Sequence, residues 1–184
     1  MRKRETFGKG AADLCGSFRV TRALPKDAET IGKIHAASWK AAYQDLFPPG
    51  YFIGFTPEKR AEIFRKNYGK GADETFLFAG GSDPLGMAIL GPSLEEDYPE
   101  DIGEIGAFYF LPPAWGTGIA QQAMRYCLGN FQRRGMQGVI LWVLEENRRA
   151  RRFYEKCGFQ FDGKQRDFSL ENRAFSEYRY FQKL

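Results

Sequence analysis

Histidine is almost missing from this chain: His35 is the only one in 184 residues. A zinc site built on several imidazoles is thereby excluded, and a Ser-His-Asp triad would have to rest on that one side chain. Cysteine is scarce as well. Cys15, Cys127 and Cys157 are odd in number and lack metal-ligand spacing. No disulfide framework and no metal are expected, and a reduced, cytoplasmic protein is the natural reading. Long apolar runs are absent too. The longest, Val139 to Leu144, falls far short of the ~18 residues of a membrane helix. The opening MRKRETFGKG is basic with no apolar segment behind it, so no secretory signal is expected. Charge of one sign is not in large excess. Against 27 Lys+Arg stand 23 Asp+Glu, for a net +4, which favours anionic ligands without demanding nucleic acid. Chemistry is left to carboxylates, tyrosine, backbone amides or a bound cofactor.

What is present suffices for a packed domain. Hydrophobic residues make up 43% and aromatics 16%, and the length suits one domain of ~150 residues plus a tail. Residues 1–16 are charged, Gly-rich and without hydrophobic period, and are expected to be a flexible basic tail; 17–184 are expected to be one domain. FRVTRA from Phe18 alternates as a strand does. Pro25 and Asp27 start a helix that runs on to Tyr43, and Thr56-Pro57 opens a second, closed by Gly69 and Gly71. TFLFAG and GMAILG flank a Gly-Ser-Asp-Pro turn and read as a hairpin. After the acidic loop SLEEDYPED comes the strand GEIGAFYFL. In the next segment Ile119, Ala123, Cys127 and Phe131 share one helix face. VILWVL reads as a strand buried on both sides, NRRARRFYEKCGF as a short helix, and Phe159–Phe161 and Ser176–Phe181 as two last strands. The strand–helix–strand unit from Glu104 to Leu144 implies a parallel pair with a right-handed crossover. The remaining strands are hairpin-connected. The expected class is α/β, of mixed α+β kind, in a single domain.

The junction LPPAWGTGIA, Leu111 to Ala120, carries the strongest chemical signal. A strand ends there and a glycine-bearing turn opens a helix. A helix start leaves about four backbone N–H groups unpaired and adds partial positive charge. Gly116 and Gly118 let an anion approach that backbone, as in a phosphate or pyrophosphate cradle; a plain structural turn is equally consistent with the glycines alone. It is not a P-loop, since no Lys-Ser/Thr follows. It is a poor dinucleotide fingerprint, since Gln121 and Gln122 stand where a third glycine is needed.

LPPAWGTGIA followed by VILWVLEENRRARRFYEKCGF resembles the two central motifs of the GNAT family of acyl-coenzyme A N-acyltransferases. The family's Q/R-x-x-G-x-G/A signature maps onto Trp115, Gly118 and Ala120, and its N-x-x-A-x-x-F-Y-E-K-x-G-F pattern matches Asn147, Ala150, Phe153, Tyr154, Glu155, Lys156, Gly158 and Phe159. The early SWKAAYQDLFP is also similar to the first helices of family members, so the likeness spans about residues 17 to 183. Two departures stand out: Trp115 replaces the usual Gln or Arg, and Thr117 sits where a basic residue is common. Arg148, Arg149, Arg151 or Arg152 can supply missing positive charge, or form a solvated basic helix face.

The resemblance implies a central sheet of about seven strands, mostly antiparallel, with a splayed parallel pair and about four flanking helices. It implies acetyl-coenzyme A as co-substrate, contacted by Phe108, Tyr109, Phe110, Trp115, Gly116, Thr117, Gly118, Ile119, Ala120, Asn147, Arg149 and Tyr154. Its reaction is direct attack of an amine on the thioester in a ternary complex. Tyr154 occupies the position of the acid that assists the leaving thiolate; core packing beside Phe153 is the alternative. Glu104 is the candidate base, provided burial raises its pKa; otherwise it is an exposed strand glutamate. Asn147 can bond the pantetheine, cap a helix, or do both. Trp39 and Tyr43, four apart on one helix face, border the acceptor pocket or belong to an aromatic core stripe that also holds His35.

The expected activity is therefore N-acetylation of a small-molecule, peptide or protein amine. A non-catalytic acyl-coenzyme A sensor and a nucleic-acid binder through MRKR and the arginines are the other classes, the last lacking any reader motif. The acidic loop is either an attractor for a polycation or solvated surface. The strand Tyr178–Phe181 is a candidate for pairing across a homodimer.

Overall fold

The computed structural model describes residues 18–170 and 173–184, so the expected tail over 1–16 lies outside the described residues. In chain order the elements are β1 (Phe18–Arg22), α1 (Ala28–Tyr43), α2 (Pro57–Asn67), β2 (Glu74–Gly80), β3 (Pro84–Pro92), β4 (Ile102–Phe110), α3 (Ile119–Arg133), β5 (Gly138–Leu144), α4 (Arg148–Lys156), β6 (Gln160–Leu170) and β7 (Arg173–Lys183). The seven strands form one sheet in the order β1-β2-β3-β4-β5-β7-β6, antiparallel except for β4 and β5. This is the mixed sheet with one parallel pair that the motif order implied.

Local chemistry sets the helix starts. The Asp27 carboxylate accepts the Leu24 N–H at 2.9 Å just after Pro25. Thr56 accepts the Lys59 N–H at 3.3 Å, with Pro57 in the first turn where its missing N–H is harmless. Helices α1 and α2 meet closely at Gly32, where a Cβ would stand 2.1 Å from the Pro57 carbonyl oxygen. These two helices cover one sheet face, over a core of Ile31, Ile34, Leu77 and Met87. Helix α3 covers the other face over the larger core, including Phe78, Leu90, Ile105, Phe131, Val139 and Tyr180.

The last hairpin departs from expectation. Its strands run to 11 residues each, where the sequence pattern suggested three and six. Residues 161–169 are exposed, so they have no buried face to give a hydrophobic period. Backbone pairing to β7 across a bulge holds them instead, with an Arg166–Glu177 ion pair at 2.7 Å and Phe168 stacked on Phe175. β7 pairs with β5 on one edge and β6 on the other. Tyr178–Phe181 therefore has no free edge for pairing across a dimer.

The acidic loop between β3 and β4 is also committed internally. The Arg179 side chain is 6% exposed. It donates to both Asp97 oxygens at 2.7 and 2.8 Å, to Asp162 at 2.6 Å and to Glu95 at 3.1 Å, and it lies over the Tyr98 ring. Asp97 is held well below the usual carboxylate range, chiefly by these Arg179 bonds. The loop is thus tied down over β5 and β7, and Glu95 and Asp97 are not free charges awaiting a polycation. Arg179→Leu is expected to destabilise the fold by about 2–3 kcal/mol, less than a fully buried pair because the acids are partly wet. Urea denaturation checks it; a loss under about 0.5 kcal/mol contradicts the tie.

Candidate active site

The sheet opens between β4 and β5. Only Ile102↔Gly138, Gly103↔Val139 and Glu104↔Ile140 pair across it. Just beyond, the β3–β4 register jumps from Leu90↔Ile105 to Ile89↔Ala107, which leaves Gly106 as an extra residue. The bulge also reverses the side-chain alternation. Ile105 packs into the α3-side core, and so do Phe108 and Phe110, while Tyr109 turns to the α1 side. Without Gly106 the last three would face the opposite ways. The opening is a cavity of about 300 Å³, with walls from α1 on one face of the sheet and from α3 and α4 on the other.

At its α3 end, backbone chemistry dominates. Gly116 and Gly118 have φ of 75° and 87°, the left-handed region that favours glycine. Gly118 caps α3 without any side-chain bond of its own, and among the described residues nothing lies within 4 Å of where a Cβ would stand on either glycine. The open first turn of a 15-residue helix suits an anionic group. Trp115 donates its indole N–H to the Phe110 carbonyl at 2.8 Å, and the Arg149 guanidinium lies 3.3 Å over its ring. The tryptophan that stands where the motif has Gln or Arg thus holds a cation at the same spot, from α4. The other arginines differ. Arg151 donates to Tyr180 Oη at 3.1 Å and to the Glu145 carbonyl at 3.0 Å, and Arg152 to the Arg148 carbonyl at 3.2 Å.

In the middle, Tyr154 reaches in from α4. It is 8% exposed and surrounded by Phe108, Phe153 and Phe159. Burial pushes its pKa far up, so it stays protonated. Glu104 comes from the opposite sheet face. Its pKa is raised, first by burial and then by the Glu95 charge, with Arg166 opposing and Asp73 adding slightly. Asn147 does two things. Its Oδ1 caps α4 by accepting the Ala150 N–H at 3.1 Å, and its Nδ2 donates to Tyr43 Oη at 3.0 Å. That bond ties α1 to α4 across the opening.

Of the residues singled out in the sequence, Glu104, Phe108, Tyr109, Phe110, Trp115, Gly116, Ala120, Asn147, Arg149, Tyr154, Trp39 and Tyr43 line this one cavity. Thr117, Gly118 and Ile119 do not. Thr117 Oγ1 donates to the Ala114 carbonyl at 2.8 Å, Gly118 forms the helix cap, and Ile119 is wholly buried in the core. His35 lies elsewhere, stacked on Tyr109 at 4.7 Å. Burial, then Arg60, lowers its pKa to about 4, so it is a neutral packing residue. Cys127 is core, its thiol pushed up to about 12 by burial. Cys157 caps α4.

Among the lining residues that sequence reasoning did not assign to the site are Ser38, Gly106, Trp142 and the Arg166–Glu177 pair. Only Gly106 left a usable signal, since an isolated glycine inside a strand marks a bulge.

Comparison with known proteins accords with this geometry. The sequence profile of the acetyltransferase (GNAT) family matches residues 38–159. A probable N-acetyltransferase of Mycobacterium tuberculosis is 26% identical over 151 residues, covering 80% of this chain and 83% of its own. An uncharacterized N-acetyltransferase of Bacillus subtilis is 24% identical over 132 residues, covering 70% of this chain and 72% of its own. Among solved structures, the PaiA N-acetyltransferase of Thermoplasma acidophilum in complex with coenzyme A superposes with a TM-score of 0.70. It is 16% identical and covers 91% of this chain and 99% of its own, a likeness of fold.

Proposed function

The chain belongs to the acetyltransferase (GNAT) family, and on that premise we propose that it is an acetyl-coenzyme A-dependent N-acetyltransferase acting by direct transfer in a ternary complex. The observation that carries this reading is the convergence on one cavity of the open α3 start, the unpaired stretch of β4 beyond Gly106, a buried protonated tyrosine and a carboxylate of raised pKa.

When bound, acetyl-coenzyme A supplies an acetyl group already activated as a thioester. The backbone at Gly116 and Ala120 and the Arg149 guanidinium would hold its phosphates, and the β4 edge beyond Gly106 its pantetheine arm. Glu104, directly or through water, takes a proton from the acceptor ammonium. The freed nitrogen forms the new N–C bond as the C–S bond breaks. Tyr154 donates its proton to the departing sulfur and is restored from the nitrogen's second proton, so one proton in all leaves to solvent. Asn147 and Tyr43 hold α4 and α1 at a fixed separation for this step.

The test is free-thiol release from acetyl-coenzyme A across a panel of amines. Amine-dependent release is expected. Tight coenzyme binding with no release would instead mark a non-catalytic sensor. Arg149→Ala is expected to raise KM for acetyl-coenzyme A about 5- to 10-fold with a smaller change in kcat, as loss of a charge-assisted contact should. An unchanged KM removes Arg149 from the coenzyme site.

A further inference from the structure

Building on the acetyltransferase reading, we propose that the acceptor is a small aminocarboxylate, its carboxylate held by Arg166 and its primary amine facing Glu104. The charges on the α1 side of the opening lead there. Three carboxylates stand near it. Glu95 is taken by Arg179 at 3.1 Å and by the Trp142 indole N–H at 3.3 Å. Glu177 is taken by Arg166 Nε at 2.7 Å. Glu104 has no ion-pair partner among the described residues. The site therefore offers one uncompensated carboxylate. A polyamine or a lysine-rich peptide would bring a second cation against Arg166, where the nearest acid, Glu177, is already paired.

Arg166 is paired with Glu177 through Nε alone and keeps donors for a second carboxylate. Its guanidinium lies 4.2 Å over the Trp142 ring, which fixes its plane. Only Nε is used by Glu177, and its two terminal nitrogens make no hydrogen bond among the described residues. A planar fork of N–H groups matches a carboxylate. It lines the same cavity as Glu104, and its charge is felt there. Cation site and anion site thus share one mouth.

A second observation comes from α1. Ser38 is 4% exposed and lines the cavity, yet its Oγ has no hydrogen-bond partner among the described residues. A buried hydroxyl left without a partner is costly unless a ligand supplies one. The cavity of about 300 Å³ must take the thioester end of the coenzyme as well as the acceptor, which leaves room for a small acceptor. Its walls of Trp39 and Trp142 suit an apolar or aromatic side chain.

The experiment uses matched acceptor pairs, L-phenylalanine with phenethylamine and L-methionine with 3-(methylthio)propylamine. Thiol release gives the ratio of kcat/KM within each pair for the full chain and for Arg166→Gln. Differences in amine basicity cancel when the two ratios are compared. Calorimetry on protein saturated with coenzyme A gives the same ratio for binding. The full chain is expected to favour the carboxylated member, and Arg166→Gln to cut that ratio about 10- to 100-fold in both readouts. Arg166 is exposed, and thermal melting checks that the variant is folded. Equal loss for both members, or transfer that ignores the carboxylate, overturns this inference and leaves the transferase reading standing. Absence of thiol release with every amine, although acetyl-coenzyme A binds, overturns the transferase reading and the acceptor assignment with it.

Discussion

Tyr154→Phe is expected to lower kcat by about 100-fold or more while changing KM for acetyl-coenzyme A less than about threefold. The ring is clasped by Phe108, Phe153 and Phe159, so phenylalanine occupies the same space and only the oxygen is lost. Burial holds the phenol protonated across any assay pH. The group is therefore a proton donor by default, facing a leaving thiolate whose conjugate thiol has a pKa of ~8.5. Without that donor the sulfur departs as a bare anion in an apolar cleft, which is the costly event the hydroxyl relieves. Melting temperature should barely move, since one buried hydroxyl contributes about 1 kcal/mol or less. Steady-state kinetics with a verified acceptor decide the matter. Turnover within threefold of the unaltered chain would sink the acid role and return Tyr154 to core packing.

How much of this was legible beforehand depends on what each residue's signal consists of. Helix α3 and the turn before it could be read because glycine, helix start and apolar face repeat one message at three scales. Strand β5 could be read because burial on both faces makes it apolar throughout. The motif after it gave Asn147 and Tyr154 by resemblance, and both line the cavity. The resemblance did not reveal that Asn147 spends its amide on Tyr43, because nothing local links residues 104 positions apart. Strand β6 was cut short for a related reason. It is an exposed edge, held by backbone bonds that leave no mark in side-chain pattern. Arg166 was lost with it, since its place beside Trp142 and Glu177 exists only once β6 lies on β7. The Trp115 departure shows the same limit of local reading. Its compensation comes from Arg149, which sequence order puts 34 residues away and folding puts on its ring.

Glu104→Gln tests the other half of the proton inventory, and its expected loss depends on pH. An alkylammonium with a pKa near 10.4 is almost wholly protonated at pH 7, so unassisted attack must use a free-amine fraction below about one in a thousand. A base beside the amine removes that limit. Glu104 suits the task because burial first, and Glu95 second, raise its pKa toward that of its partner. At pH 7 the variant should lose about 100-fold in kcat/KM for the acceptor. It should then regain nearly tenfold per pH unit as free amine accumulates, until the two enzymes converge toward about pH 9. A loss that stays constant across that range would make Glu104 an orienting or structural residue. Folding stability supplies an independent check. A carboxyl whose pKa is raised by folding binds its proton more tightly in the native state, so ionisation costs the fold stability at every pH above the unfolded carboxyl's pKa. Removing that charge with glutamine should leave the protein at least as stable at neutral pH and more stable relative to the unaltered chain there than in acid. A variant that is slower yet firmer, with a deficit that closes as pH rises, is the behaviour of a base held in a desolvated site for its chemistry at the expense of the fold.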